Sequence, residues 1–423
     1  MIFKNLTNIE RVSFKYHIIY NIVEGILFGF FLMNEFIFLK SLNATEFQVG
    51  LLFLFSMVAF LPLMFFNEML RRTVNKKKLI RITALITRTP LLLFFFFPTS
   101  INSGNIAFFH YAFLGIFLVY YLGTPIILPT INLFLRNAYQ DNNFGKLYGY
   151  ATTINKILVL VSTFCFGQLL NLDHYSFRYV YPILGITGII GLFYLSKIPI
   201  RIPKETIRLK FMEAIKKSGL RLFDIVKNDK PYRHYEISFF LYGIAFMITV
   251  TVISFFMERH LGLNYPSIAN YKTLGAFMTI AFLPLFGKVL NNTDPRRFVI
   301  ISFAFLLIYI FLVMITEYLP YYFWLGNFQI YYTLFIAFIF FGLFGASNTL
   351  AWHIGSAYFS KDKNSAPDYQ AVHLILTGVR GLFAPLMGVL LYSVLGYTIT
   401  FSVAILFIIF AIIIVYWSQI KYK

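Results

Sequence analysis

Cysteine is almost missing from this chain. Cys165 is the one thiol in 423 residues, which excludes an internal disulfide framework and any four-cysteine metal site. Charge is scarce as well, at 13% of residues against about a quarter in a typical soluble domain, and acids number 17 against 36 bases. No phosphate loop of the form G-x-x-x-x-G-K-[ST] occurs, which argues against ATP-driven work by this chain alone. Neither H-E-x-x-H nor a serine-nucleophile elbow is present. What fills the chain is apolar: 59% hydrophobic residues, with 53 Phe and 29 Tyr, and a mean hydropathy of +0.73. No ordinary water-facing surface absorbs that load. Collagen, disordered tails and soluble α/β enzymes are excluded, and the arithmetic predicts an all-α polytopic membrane protein.

A membrane helix needs about 20 mostly apolar residues to cross roughly 30 Å of hydrocarbon. Such runs occur at about 16–39, 47–69, 79–98, 106–135, 147–171, 178–197, 235–257, 267–290, 298–318, 329–357, 369–395 and 398–418. These are twelve expected transmembrane helices. The first is too long, and too rich in Glu and Asn, for a cleavable signal peptide. Pro125 and Pro129 predict a kink in the fourth. Of the 36 basic residues, 29 fall in or at the edges of alternate loops and the two terminal stretches, whereas the opposite loops hold only Lys40, Arg178 and Arg259. That bias places both termini at the cytoplasmic side of the inner membrane. It also explains the net charge of +19 as a topology signal and removes nucleic acid as a partner.

One long break, 198–234, divides the chain into 1–197 and 235–423, two six-helix bundles. Within it Ile207, Phe211, Ile215, Leu222 and Ile225 fall roughly on one helical face among Lys and Arg. An amphipathic helix on the inner leaflet and a solvated charged linker both fit this pattern. The two halves echo each other. Lys15 and Gly25 match Arg233 and Gly243; Phe66 to Leu70 and Lys76-Lys77 match Phe286 to Leu290 and Arg296-Arg297; Asp141, Asn143, Tyr148 and Gly167 match Asp362, Asn364, Tyr369 and Gly388, all at offsets of 218 to 221. A parallel repeat of this kind predicts two pseudo-symmetric halves rocking about a central site.

On these features the chain resembles the major facilitator superfamily. That family carries Gly-x-x-x-Asp-Arg-x-Gly-Arg-Arg between helices 2 and 3. Here Asn67 to Lys78 keeps the basic cluster Arg71, Arg72, Lys76 and Lys77, with Asn67 and Arg71 in place of the leading Gly and the Asp. The second-half copy keeps Gly287, Arg296 and Arg297. The resemblance implies a gating role for these basic clusters. The segment Trp352 to Pro385 looks like a variant common among bacterial members. The resemblance also implies a central cavity lined by helices 1, 4, 7 and 10, where Tyr121, Thr124 and Tyr242 would stand.

Ionisable groups inside spans cost about 2.5–3.5 kcal/mol each on insertion scales and usually face a cavity or a partner. All seven Asp lie in loops, and Glu24 is the one acid near the middle of a predicted span. Glu24, Arg88 and Lys156 lie at one depth, roughly 13 Å in, and can form a charge network. Glu24 shares a polar stripe with His17, Tyr20 and Asn21. Two roles stand for it: a carrier of the coupling proton, or a structural partner of Arg88 or Lys156. His373, Thr377 and Arg380 form a second stripe at i, i+4, i+7, with Arg380 serving an anionic group or a helix carbonyl end. Asn348 and Trp352 share a face of the tenth helix, where a stacking wall and plain packing both account for the Trp.

The expected function is secondary transport of a small solute by alternating access, with a proton as the candidate coupling ion. A facilitative uniporter is the alternative, and a membrane-embedded, lipid-acting enzyme a more remote one. No enzyme activity, cofactor or metal is expected, and the partners are the bilayer, a small-molecule substrate and protons, with the protein a monomer.

Overall fold

The computed structural model describes residues 6–100, 106–199, 210–291, 293–360 and 365–422, and they are almost wholly helical. Ten helical stretches are long and apolar enough to cross a membrane, and an eleventh span is the bent pair Glu46–Val58 and Leu63–Arg72, which meet at 42°. The last stretch, Ala366–Lys421, runs for 56 residues. At 1.5 Å per residue that is roughly 84 Å, enough for two crossings. It divides at Gly396, whose φ of 77° suits a residue without a Cβ. Twelve spans result. Residues 200–209 of the linker, and Asp362 and Asn364 of the repeat, lie outside the described residues.

Local chemistry sets the ends of these helices. Thr7 and Glu10 form a capping box at the first span, and Thr45 and Gln48 form another at the second. The fourth span breaks at Gly123, and its second half restarts with Pro125 in the first turn, so the predicted kink lies two residues before Pro125 while Pro129 sits within a helix. The predicted start of the tenth span at 329 needs correction. A hairpin of β1 (Tyr322–Leu325) and β2 (Phe328–Tyr331) precedes a helix that begins only at Tyr332. Gly326, at φ 59°, makes its turn. Tyr271 and Ser267 hold the strand by hydrogen bonds to the backbone of Tyr331 and Gln329, at 2.7 and 2.8 Å.

The repeat is visible in the backbone. The first span ends in a π-turn at Ile37–Ser41 and the seventh in one at Phe256–His260, 219 residues later. Asn264 caps the backbone of Ser267 as Thr45 caps that of Gln48. Asp294 caps the ninth span where Asn75 caps the third, again 219 apart. The chain divides into two compact units, Met1–Asn43 with Pro62–Ile215, and Ala44–Leu61 with Lys216–Lys423.

In the first unit, Phe14, Ile80, Ile131, Phe134 and Leu192 build a buried apolar core. In the second, Glu46–Val58 packs on the eleventh span through small residues, with Gly381 against Met57 and Gly50 against Val389. Arg259 closes that contact with a 2.6 Å ion pair to Glu46. The linker forms a helix, Phe211–Asn228, with Ala214 and Leu222 buried and Met212, Leu220 and Phe223 exposed. Arg221 ties it to Asp368 at 2.8 Å. Large apolar side chains such as Phe96, Phe108, Ile186, Leu390 and Ile413 stand exposed, as a lipid-facing surface requires.

Asp294 is the most heavily used cap. It accepts from the backbone of Arg296 and pairs with its guanidinium at 2.7 Å, while Arg296 also donates to the carbonyls of Ser418 and Tyr422. Burial opposes ionisation, but the Arg296 hydrogen bonds outweigh it and hold the Asp294 carboxyl below its ordinary range. A depressed carboxylate stabilises the fold above its unfolded pKa, and that stability is lost as pH falls through the folded value. Asp294→Ala is therefore expected to cost about 1 kcal/mol near neutral pH. Thermal unfolding in detergent should show the gap to the parent narrowing as the solution is acidified.

Candidate functional site

Two acid–base pairs inside the membrane-crossing helices stand out, one in each unit. In the first unit, Glu24 on the first span meets Arg88 at the end of the helix Lys76–Arg88, with Nη2 2.7 Å from Oε1. Arg88 is buried and lies 4.1 Å above the ring of Tyr120, a cation–π contact that adds to the ion pair. Gly188 on the sixth span leaves room for its side chain. Tyr20 is buried in the same layer, and Asn21 bonds back to the carbonyl of His17 at 2.9 Å. Lys156 stands apart. Among the described residues it forms no ion pair, so the expected three-member network contains a pair, Glu24–Arg88, with Lys156 outside it. Tyr121 packs its ring against Phe117 and Tyr120, and Thr124 opens the second half of the fourth span, partly exposed.

The second unit holds a cluster that sequence reasoning missed. Glu236 is 2% exposed and His373 1%, and Nδ1 of His373 lies 3.0 and 3.2 Å from the two carboxylate oxygens. Ser356 donates to the same carboxylate at 3.1 Å. The rings of Phe239 and Trp352 close on the imidazole edge-on, with centroids 5.0 and 5.5 Å away. A seventh span starting at 235 leaves Glu236 at the membrane edge, which is why it escapes notice. Asp229 caps the backbone of Tyr232 and Pro231 sits in the first turn, so the helix begins at Lys230. That puts Glu236 roughly 9 Å inside it. The Asp-Lys-Pro signal is the one that moves the boundary.

Arg380 lies one and two turns beyond Thr377 and His373. It donates to the carbonyl of Phe239 and to Thr377 Oγ1, and its guanidinium stands 5.4 Å over the ring of Tyr242. Of the two roles expected for Arg380, the carbonyl contact is the one present. Gly243 makes this possible, because a Cβ there would collide with the guanidinium. Tyr242 also stacks on Phe303 at 4.4 Å. Asn348 presents a buried Oδ1 with no partner among the described residues.

The basic clusters pair within their own loops. Arg71 and Arg72 reach Glu68 at 3.0 and 2.6 Å, Lys76 donates to the carbonyl of Thr73, and Lys77 is half-buried. Arg296 is held by Asp294, while Arg297 is exposed. No metal-binding cluster of three His, Cys, Asp or Glu occurs among the described residues.

A two-fold repeat of six membrane helices, with charged groups kept inside the spans, defines a membrane transporter. The chain matches the Major Facilitator Superfamily over residues 18–366 and belongs to that family. No curated protein matches it. Among solved structures it is similar to a POT family transporter in complex with 5-aminolevulinic acid, at 12% identity and a TM-score of 0.73, over 100% of this chain and 98% of that one. It is similar to the nucleoside transporter NupG, at 13% identity and a TM-score of 0.65, over 99% of this chain and 100% of that one. It is also similar to a D-xylose-proton symporter, at 14% identity and a TM-score of 0.65, over 96% of both chains. At these identities the likeness is one of fold.

The Glu24–Arg88 bridge generates a test. Glu24→Gln strands a buried guanidinium and is expected to cost about 3–5 kcal/mol. Adding Arg88→Met should return much of that stability, whereas Lys156→Gln alone should cost under about 1 kcal/mol. Unfolding midpoints of the four proteins in detergent separate a pair from a triad.

Proposed function

We propose that the chain moves a small polar solute across the inner membrane by alternating access, with a proton as the coupling ion. The moving parts would be two six-span halves, 1–197 and 235–423, joined by the cytoplasmic linker 198–234. The observation that carries this reading is the retention of ionisable side chains inside the spans of both units, Glu24 with Arg88 and Glu236 with His373. Such groups are expensive in a bilayer, and a role in transport is the ordinary reason to keep them. The family match supports it, and so do neighbours described as proton-dependent oligopeptide transporters and as a D-xylose-proton symporter.

The solute would meet Tyr20, Asn21, Tyr121 and Thr124 in the first unit and Tyr242, Asn348, Trp352, His373 and Arg380 in the second, with Arg71, Arg72, Lys76, Lys77, Arg296 and Arg297 at the gating loops. A monomer suffices for this mechanism. Facilitative uniport is the second reading, and the bridge from Arg88 to Glu24 favours it. A guanidinium at 2.7 Å is what a structural partner supplies.

Purified protein in liposomes decides between the two. Uridine, D-xylose and dialanine serve as probes of three solute classes, each measured with and without an inward proton gradient. Accumulation above the external concentration, lost on adding a protonophore, is expected for the coupled carrier. Equilibration without accumulation gives the uniporter, and no flux of any probe in either mode counts against transport of these classes. Orientation has its own measurement. Single cysteines at Asn75, Lys216 and Asp294 should react with impermeant maleimide only from the cytoplasm, and one at Asp173 only from outside.

A further inference from the structure

We infer that the proton taken up during transport binds at the Glu236–His373 pair, on Nε2 of His373. The inference rests on the proton-coupled reading above and says where in the molecule the proton goes.

Glu24, partly buried, and Glu236, fully buried, are two acids of the membrane-crossing helices with different partners. Glu24 is bridged by Arg88, a base that keeps its proton at any physiological pH. Glu236 is bridged by His373, and imidazole is the side chain whose ordinary pKa lies between pH 5 and 8. Of the two intramembrane pairs, this one can load and unload.

The geometry then assigns the atom. Glu236 presents both oxygens to Nδ1, at 3.0 and 3.2 Å, and Ser356 already donates to that carboxylate. An ionised carboxylate only accepts, so Nδ1 carries hydrogen in the unloaded state and Nε2 holds the lone pair. Nε2 is buried and has no partner among the described residues. The incoming proton adds to that lone pair, and no other bond changes. The pair passes from a net charge of −1 to zero, and release restores the lone pair.

The groups around the pair are these. On the seventh span the titratable neighbours are Tyr232, Tyr235 and Tyr242. The tenth contributes Trp352, and the short turn after it contributes Ser356. From the eleventh, Arg380 lies two turns away, with Tyr369 one turn before the imidazole. None of them is a second acid that would compete for the proton. Arg380 opposes a second positive charge, and Glu236 in direct contact offsets it. Unloading therefore leaves an uncompensated negative charge within reach of Arg380 and Tyr242, and that is a force on the seventh and eleventh spans.

Trp352 makes the site readable, because an imidazolium in ring contact quenches indole emission. The chain has three Trp, so Trp324→Phe with Trp417→Phe leaves Trp352 alone. Emission from this protein in detergent between pH 5 and 9 should fall in one reversible step as the solution is acidified. His373→Gln should abolish the step. Glu236→Gln should move its midpoint down by about one pH unit or more, since it removes the charge that favours the imidazolium. No step in the single-Trp protein, or a step that survives His373→Gln, overturns the assignment. That first measurement needs neither substitution to be tolerated.

Liposome transport separates this failure from failure of the coupling itself. Using whichever of uridine, D-xylose or dialanine the parent protein accumulates, His373→Gln should lose proton-driven accumulation and keep exchange. Accumulation retained by His373→Gln defeats the site and leaves the coupled carrier standing. A parent protein that exchanges without accumulating defeats both.

Discussion

A charge in hydrocarbon must find its partner inside the protein, and much of this structure follows from that demand. Insertion scales put the cost of such a group at about 2.5–3.5 kcal/mol, so few are kept and each is embedded in specific packing. Arg88 can be buried because Glu24, the ring of Tyr120 and the space at Gly188 are all provided for it. Arg380 can be buried because Gly243 has no side chain and the carbonyl of Phe239 is turned toward it. The glycines and aromatics of these spans are thus part of the electrostatics. Removing any of them moves a charge, which is a different consequence from leaving a cavity.

The two halves repeat their backbone more faithfully than their chemistry. Paired π-turns, paired caps and paired loop clusters keep one register across 218 to 221 residues. At the same offset, Glu24 of the first half corresponds to Tyr242 of the second. Each meets a guanidinium, Glu24 by an ion pair with Arg88 and Tyr242 by its π-face with Arg380. The two arginines stand on helices that the repeat does not relate, the third span and the eleventh, so the likeness is one of chemistry and not of register. The acid of the second half lies instead at Glu236, nearer the helix start, where the eleventh span supplies a histidine.

Composition and periodicity are enough to reveal the twelve spans, the repeat and the family, because each is written in long windows that tolerate local error. The site is legible only in part. Glu24, Arg88, His373 and Arg380 stand out as polar residues in apolar runs, yet which of them touch depends on helix rotation, which spacing alone leaves open. Lys156 shares the depth of Glu24, but depth is one coordinate of three. Glu236 is hidden by a boundary: five residues of error at Lys230 turn a buried acid into an interfacial one. The β1–β2 hairpin is hidden for the opposite reason, since its second strand runs without a break into the apolar tenth helix and the expected start at 329 absorbs it.

Partner identity divides labour among these charges. Arg88 keeps its proton at any physiological pH and ties the third span to the first through Glu24, whereas Arg71 and Arg72 pair with Glu68 within one helix. Glu236 is paired instead with an imidazole, the side chain whose ordinary pKa lies in the physiological range. The first unit thus sets a guanidinium beside its membrane acid and the second sets an imidazole beside its own. On the proton-coupled reading, His373→Arg would keep a cation beside Glu236 and remove the group proposed to load, so a scaffold and a switch would differ by a single side chain.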